Sequence, residues 1–182
     1  MIDKQFLADF KRATEAKWAT QSINPSIFGY QFQCGTKWLP GLSDEQIAAY
    51  ESVVGVTFPH DLRAFLREMN GTDLPTLNVY GSQGEPQRES VGVYSYPRDI
   101  ELVRERMSVV REHLAPITSD LSSQNFALGE SSRLVPIYSH RYVVSAPDVS
   151  SSVVLSIVVE AVDAIVYSNS LEEYLIKEFL GS

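Results

Sequence analysis

Cysteine is nearly absent from the chain, since Cys34 is the only one among 182 residues. A single cysteine cannot form an internal disulfide, which excludes the small secreted domains that disulfides stabilise. Long apolar runs are also missing. The longest, Val153 to Val159, has the length of a strand, whereas roughly 20 residues span a bilayer. The amphipathic, charged start of the chain lacks a signal peptide's apolar core, so we expect a cytoplasmic protein with no membrane role.

The chain has fewer basic than acidic residues. Fifteen Lys and Arg residues face 23 Asp and Glu residues, which gives a formal net charge of -8 at pH 7. Such a field repels phosphate backbones and favours the encounter with basic partners. We therefore expect no nucleic-acid binding, and the charge is compatible with a basic protein partner. The alternative reading is that the acidity serves solubility alone.

Side chains that carry metal or nucleophilic chemistry are few and unsuitably spaced. The three histidines have no ligand-like spacing to one another, and His60 with Asp61 fits the first turn of a helix, where an acid is favoured by the helix dipole. Residues Gly81–Gly84 form neither a phosphate loop nor a nucleophile elbow. Cys34 has no neighbouring histidine. We predict no metal site, no cofactor site and no catalytic residues, hence a protein that is not an enzyme.

Helical periodicity is the clearest positive signal in the first half of the chain. Apolar residues spaced by three or four positions predict an amphipathic helix over about the first eighteen residues. A capping box at Ser43 and Gln46 opens a second helix, which Gly55 ends. A third helix follows Phe58-Pro59 and is predicted to end at Asn70-Gly71, where a left-handed residue terminates helices.

Two more helices and most of the strands are predicted in the second half. A helix from Ile100 to Leu114 is closed by Pro116 and followed by a Ser-rich loop. A second capping box, Ser170 with Glu173, opens the final helix. The order of helices first, sheet in the middle and helix last predicts an α+β fold. Runs rich in Val, Ile and aromatic residues predict the strands: Thr76–Tyr80, Val91–Tyr96, Leu134–Tyr138, Tyr142–Ser145, Val153–Val159 and Ala164–Tyr167.

The triplet His140-Arg141-Tyr142 is the strongest candidate for chemistry, because histidine transfers protons near neutral pH and arginine grips phosphate or carboxylate. Strand alternation, however, places His140 with Tyr142 on one face and Arg141 with Val143 on the other. The two side chains are then not expected to converge on one substrate atom. We interpret the triplet as scaffold, or as the rim of a partner surface, at a sheet corner that follows Pro136.

Three ordered blocks of residues resemble the SUKH superfamily. Each block is unspecific alone, and the order of the three carries the resemblance. The first block is Leu42-Ser43, Ile47, Glu51, Gly55, Phe58-Pro59, Leu62, Phe65, Leu66 and Asn70-Gly71. The second is Val135-Pro136-Ile137 with His140-Arg141-Tyr142. The third is Val154-Leu155-Ser156-Ile157, Asp163, Ile165, Ser170-Leu171-Glu172-Glu173-Tyr174-Leu175 and Glu178-Phe179.

The resemblance implies a fold and a binding role, and it implies no catalytic residues. We expect one structural domain with N-terminal helices packed on a largely antiparallel sheet and a C-terminal helix, in which residues 42–182 form the SUKH-like part and residues 1–41 an elaboration. The implied function is that of a bacterial immunity protein, part of a toxin–antitoxin or polymorphic toxin system, which binds and neutralises a cognate toxin such as a nuclease. The alternative is a cytosolic adaptor that binds an endogenous protein, such as a regulator of cell-wall synthesis.

A cluster of acidic and aromatic residues around the predicted hairpin is the candidate partner-binding site. A basic toxin domain would be steered by carboxylates, and tyrosines are favoured anchors at interfaces. The alternative is that the tyrosines of the cluster face the core. The cluster comprises Glu85, Glu89, Tyr94, Tyr96 and Asp99.

Overall fold

The computed structural model describes residues 2–79, 88–146, 152–161 and 163–181. It confirms the predicted α+β fold. The helices are α1 (Lys4–Thr20), α2 (Asp44–Val54), α3 (His60–Glu68), α4 (Ile100–Glu112), α5 (Leu114–Ser123) and α6 (Leu171–Leu175), which a π-helical stretch, Ile176–Leu180, continues. The strands are β1 (Gly29–Phe32), β2 (Trp38–Pro40), β3 (Met69–Thr72), β4 (Thr76–Val79), β5 (Arg88–Ser90), β6 (Arg133–Tyr138), β7 (Arg141–Ser145), β8 (Val154–Val158) and β9 (Asp163–Ser168).

The largest sheet consists of four antiparallel strands in the order β6-β7-β8-β9. Successive side chains of a strand point to opposite faces, so β7 contributes Val143 to one apolar cluster and Tyr142 with Val144 to a second one. The first cluster also contains side chains of α1, α2, α3 and α6, whereas α5 contributes Ile117 and Leu121 to the second. The sheet is therefore covered by helices on both faces. Smaller antiparallel sheets have the orders β1-β4-β5 and β2-β3.

The second helix forms as its end signals predict. The Ser43 hydroxyl accepts a hydrogen bond from the Gln46 backbone N–H at 3.3 Å, and the Gln46 side-chain oxygen accepts one from the Ser43 N–H at 2.9 Å. This reciprocal pair satisfies N–H groups that have no partner within the helix. At the other end Gly55 has a φ of +68°, a left-handed conformation that glycine adopts without steric penalty.

The third helix ends earlier than predicted. Helix α3 stops at Glu68, and Asn70 and Gly71 belong to strand β3, which pairs with β2. Gly71 does have a positive φ of +76°. A packing contact also requires glycine at this position, because a Cβ there would lie 2.7 Å from the Cβ of Ser95. The prediction of a helix stop at Asn70-Gly71 was wrong because a glycine with a positive φ need not lie at a helix end; here it lies in a strand.

Two other predictions fail for identifiable reasons. Residues Val91–Tyr96 do not form a strand, because the Asn70 side chain bonds the Tyr96 backbone through both its N–H (2.9 Å) and its carbonyl (2.6 Å). Only Val93 forms a bridge, to Tyr138. Pro116 does not close a helix either, since it lies in the first turn of α5. Backbone N–H groups in a first turn have no partner within the helix, so proline is tolerated there.

The residues before position 41 share the core of the rest of the chain. The Trp18 ring stacks on Phe32 at 4.4 Å between centroids, and Phe10 contacts Phe179 edge-on at 5.7 Å. The Ile2 backbone N–H donates to the Asp61 carboxylate at 2.8 Å, and β1 pairs with β4. This aromatic packing ties the N-terminal helix to the C-terminal one. None of the described helices is both long and apolar enough to cross a membrane.

Candidate partner-binding surface

Of the five residues predicted to bind a partner, the four that the structure describes occupy different environments. Glu85 lies outside the described residues. Glu89 is exposed on β5, opposite Leu77 of β4. Tyr94 is only 6% exposed, and its hydroxyl donates to the Ser139 carbonyl at 2.9 Å. Burial raises the pKa of this phenol. Tyr94 therefore fastens the chain to the β6–β7 turn and offers little surface to a partner.

The other two members of the cluster also make internal contacts. The half-buried Tyr96 ring stacks on Tyr50 with centroids 4.8 Å apart. Asp99 is 8% exposed; its carboxylate accepts from the Ser95 N–H at 2.8 Å and pairs with Arg98 at 2.9 Å. The four described members therefore do not form one exposed patch, and both tyrosines pack inward, which is the alternative stated for them. Of the described members, Glu89 alone stays fully accessible.

His140 and Arg141 lie closer together than strand alternation predicts. His140 is in the turn between β6 and β7, where Ser139 has a φ of +47°, so the alternation rule starts only at Arg141. The turn directs the imidazole toward the guanidinium, and Arg141 NH1 donates a hydrogen bond to His140 Nε2. The prediction that the two side chains diverge was therefore wrong, because it assumed that the strand begins one residue earlier.

The contact with Arg141 fixes the tautomer of His140. A guanidinium only donates, so Nε2 must accept, and the proton of the neutral imidazole lies on Nδ1. Nδ1–H then donates to the Ser139 hydroxyl, 3.1 Å away. Burial, and next the charge of Arg141, lower the pKa of His140. A histidine that donates to a serine cannot remove its proton, so Ser139 and His140 are not arranged as nucleophile and base.

The Arg141 side chain contacts several elements of the fold. Its Nε donates to the Glu178 carboxylate at 3.0 Å and its NH1 to the Ser156 hydroxyl at 2.8 Å. The guanidinium also lies 4.0 Å from the centroid of the Tyr167 ring, a favourable cation–π distance. Only 12% of the Arg141 side chain and 16% of the Glu178 side chain are exposed. Arg141 therefore links β7, β8, β9 and the C-terminal helix, as the scaffold interpretation expects.

The low pKa of His140 makes stability depend on pH. The unfolded imidazole takes up a proton near pH 6.5, whereas the folded one resists protonation until a lower pH. The unfolded state then binds more protons below about pH 6.5, and folding loses free energy as the pH falls. We expect His140→Gln to lose less unfolding free energy than wild type between pH 7.5 and 5.5 in urea titrations. Equal losses in both proteins would contradict this.

A surface feature that the sequence reading missed is the turn formed by residues 24–28, the Ile27–Phe28 turn. Ile27 is 57% and Phe28 66% exposed. The turn is held by Gln31, whose side-chain amide accepts from the Asn24 N–H at 2.8 Å and donates to the carbonyls of Asn24 (2.8 Å) and Ile27 (2.6 Å). Two large apolar side chains are thus presented to solvent on a preorganised backbone, a property of interface anchors.

A sequence signal for this turn exists. No charged residue occurs from Gln21 to Thr36, although charged residues make up 21% of the chain. A charge-free segment of turn residues that nevertheless contains Ile27 and Phe28 is typical of a surface that loses water on binding. The segment lacks helical or strand periodicity, so the periodicity that identifies core helices and strands does not reveal it.

The described side chains contain no group of three or more His, Cys, Asp or Glu residues that could hold a metal ion. Cys34 is exposed, and its thiol contacts the Ala19 carbonyl at 3.3 Å. The described structure therefore offers surfaces for contact with another protein. His140, the strongest candidate for chemistry among the histidines, makes scaffold contacts with Ser139 and Arg141.

Residues 41–177 match the model of the family described as SMI1 / KNR4 family (SUKH-1). No curated protein matches the chain.

Proposed function

The chain belongs to the SMI1 / KNR4 family (SUKH-1), whose members are immunity-type or regulator-like domains that act through protein–protein interaction, and we propose on that basis that it is a non-enzymatic immunity protein. In this proposal it binds a cognate toxin in the bacterial cytoplasm and blocks the toxin's active site or substrate channel. The observation that carries the proposal is the extent of the family match, which includes the whole four-stranded sheet and most of the helices packed on it.

Two structural observations support binding over catalysis. The His140 and Arg141 side chains are held by scaffold contacts with Ser139, Ser156 and Glu178, so the best catalytic candidates serve the scaffold. The Ile27–Phe28 turn, in contrast, exposes apolar surface that its own chain leaves uncovered. Glu89, together with Glu85 outside the described residues, keeps its proposed role of attracting a basic toxin, because exposed carboxylates speed association through long-range attraction.

The proposal is tested by co-expression with the toxin encoded beside this gene. Bacteria that express the toxin alone should stop growing, and co-expression of the chain should restore growth. If no toxin gene is adjacent, or if growth is not restored, the regulator alternative gains, and an endogenous protein should then be recovered with the chain from its own host.

The Ile27–Phe28 turn supplies a variant that separates binding from folding. We expect Phe28→Ser to leave the free energy of unfolding in urea within about 0.5 kcal/mol of wild type, because the ring is exposed. Its affinity for the toxin should fall at least about tenfold, since exposed aromatic anchors contribute on the order of 2 kcal/mol at an interface. Ile165→Ser, at a 40% exposed position on β9, is the control and should bind normally. Equal affinities of the two variants would place the interface elsewhere.

A further inference from the structure

A groove runs along one side of the molecule between α2, α4 and the start of β6. It consists of three adjoining cavities of about 510, 420 and 500 Å³. The first two cavities share Arg133, and the second and third share Met107 and Arg111. The shared residues place the three cavities side by side, and we call the row that they form the α4–β6 groove. Of the residues predicted from sequence to bind a partner, the four that the structure describes do not line it.

The floor of the middle cavity is apolar. Met107, Val110 and Leu134 line it and are each less than 9% exposed. Leu114 forms part of the rim and is 39% exposed, and Val53 at the far end is 47% exposed. Exposed aliphatic side chains beside an apolar depression favour an occupant that buries aliphatic groups of its own.

The charge of the middle cavity is positive, in contrast to the net charge of -8 of the chain. Arg111 and Arg133 both line it and both are exposed, and among the described residues no carboxylate lines it with them. Within the described ranges neither arginine forms an ion pair. The Arg133 NH1 group donates to the carbonyls of Glu130 (3.3 Å) and Ser132 (2.9 Å). These bonds hold the guanidinium in place while leaving its charge uncompensated.

The outer cavities continue this pattern with polar groups. The first adds His60, Ser131 and Ser145. The third contains Arg104 with Glu101 and Glu105, and Arg104 is already paired with Glu101 at 3.4 Å. Glu105 shares the third cavity with Arg111, so the excess of positive charge lies in the middle cavity, where Arg111 and Arg133 flank the apolar floor.

We propose that the α4–β6 groove binds an acidic, extended segment of the partner protein. Carboxylates of that segment pair with Arg111 and Arg133, and one of its aliphatic side chains packs on the apolar floor of the middle cavity. Charge complementarity selects this occupant, because a guanidinium pairs with a carboxylate in a bidentate geometry. A second copy of this chain is a poorer occupant, since two molecules of charge -8 repel each other. The proposal rests on the proposed function in that the segment belongs to the neutralised toxin.

The first test uses the purified full chain and a phage-displayed library of random twelve-residue peptides. Enriched peptides should combine Asp or Glu with Leu, Ile, Val or Phe, and they should bind Arg111→Glu/Arg133→Glu at least about tenfold more weakly than wild type, because two charge-assisted contacts become repulsive. Lys4→Glu/Arg12→Glu on α1 is the matched control: it changes the net charge by the same four units, and it should bind like wild type.

Amide shift changes in wild-type protein, measured on addition of an enriched peptide, should cluster on α4 and the start of β6. This measurement needs no variant, so it holds even if charge reversal unfolds the chain. No enrichment, enrichment without excess acid, shift changes elsewhere, or equal binding by the two double variants would each overturn the proposal.

The toxin distinguishes this proposal from the function on which it rests. If wild type neutralises the toxin and Arg111→Glu/Arg133→Glu binds it with unchanged affinity, the groove proposal fails and the immunity function stands. If wild type does not bind the toxin, the immunity function fails, whereas the peptide selection still decides whether the groove takes acidic segments.

Discussion

Gly41→Ala is expected to lose about 3 kcal/mol or more of unfolding free energy, a large share of the 5–15 kcal/mol that holds a typical domain together. A Cβ at position 41 would overlap the carbonyl group of Arg67 and lie 2.9 Å from the carbonyl carbon of Glu68. These are backbone atoms, so no rotamer change relieves the clash. The neighbouring Leu42 N–H bonds the Leu66 carbonyl at 2.8 Å, which holds the two segments together.

Urea unfolding monitored by tryptophan fluorescence measures this loss. Gly129→Ala is the control, because a Cβ there would meet only the Ser132 hydroxyl, at 3.4 Å, and the φ of Gly129 is not in the left-handed region. It should change the unfolding free energy by less than about 1 kcal/mol. Similar midpoints for the two variants would show that β2 does not lie against the end of α3 as described.

Arg141→Met is expected to lose about 3 kcal/mol, because it leaves the Glu178 carboxylate largely buried without its partner. Removing one member of a buried ion pair typically costs about 3–5 kcal/mol, whereas removing both can be nearly neutral. The double variant Arg141→Met/Glu178→Met should therefore recover much of the stability that the single variant loses. Urea midpoints of the single and double variants give the comparison.

An exposed ion pair provides the control. Arg67 and Asp44 approach to 2.7 Å, but their side chains are 45% and 72% exposed, and such pairs contribute at most about 1 kcal/mol. Arg67→Met should accordingly have a small effect. If Arg67→Met and Arg141→Met were equally destabilised, or if the double variant were no better than Arg141→Met, Arg141 would not have the structural role described here.

The parts of the fold that were predicted correctly depend on local rules. The capping box of Ser43 and the left-handed Gly55 involve residues within one helix, so the sequence contains the whole interaction. The four strands from β6 onward were located to within two residues because they are Val- and Ile-rich runs, and those of β6, β7 and β8 are buried on both faces. The SUKH resemblance depended on the same segments, and the family match confirms it.

The parts that were missed depend on partners distant in sequence. Gly71 has no room for a side chain because Ser95 packs against it, and the backbone of Tyr96 is bonded by Asn70. The burial of Tyr94 follows from a hydrogen bond to Ser139 across 45 positions. Neither composition nor periodicity contains such pairings, so a cluster of tyrosines and acids looks equally suited to a core or to an interface.

If the chain neutralises a toxin by binding it, as we propose, the purified chain should titrate the toxin's own activity. With the toxin domain encoded beside this gene at a fixed concentration, activity should fall linearly and reach zero at one equivalent of the chain, as expected for a tight complex of equal stoichiometry. Phe28→Ser should need a clear excess to reach the same inhibition. Full toxin activity in the presence of excess wild-type chain would contradict the account.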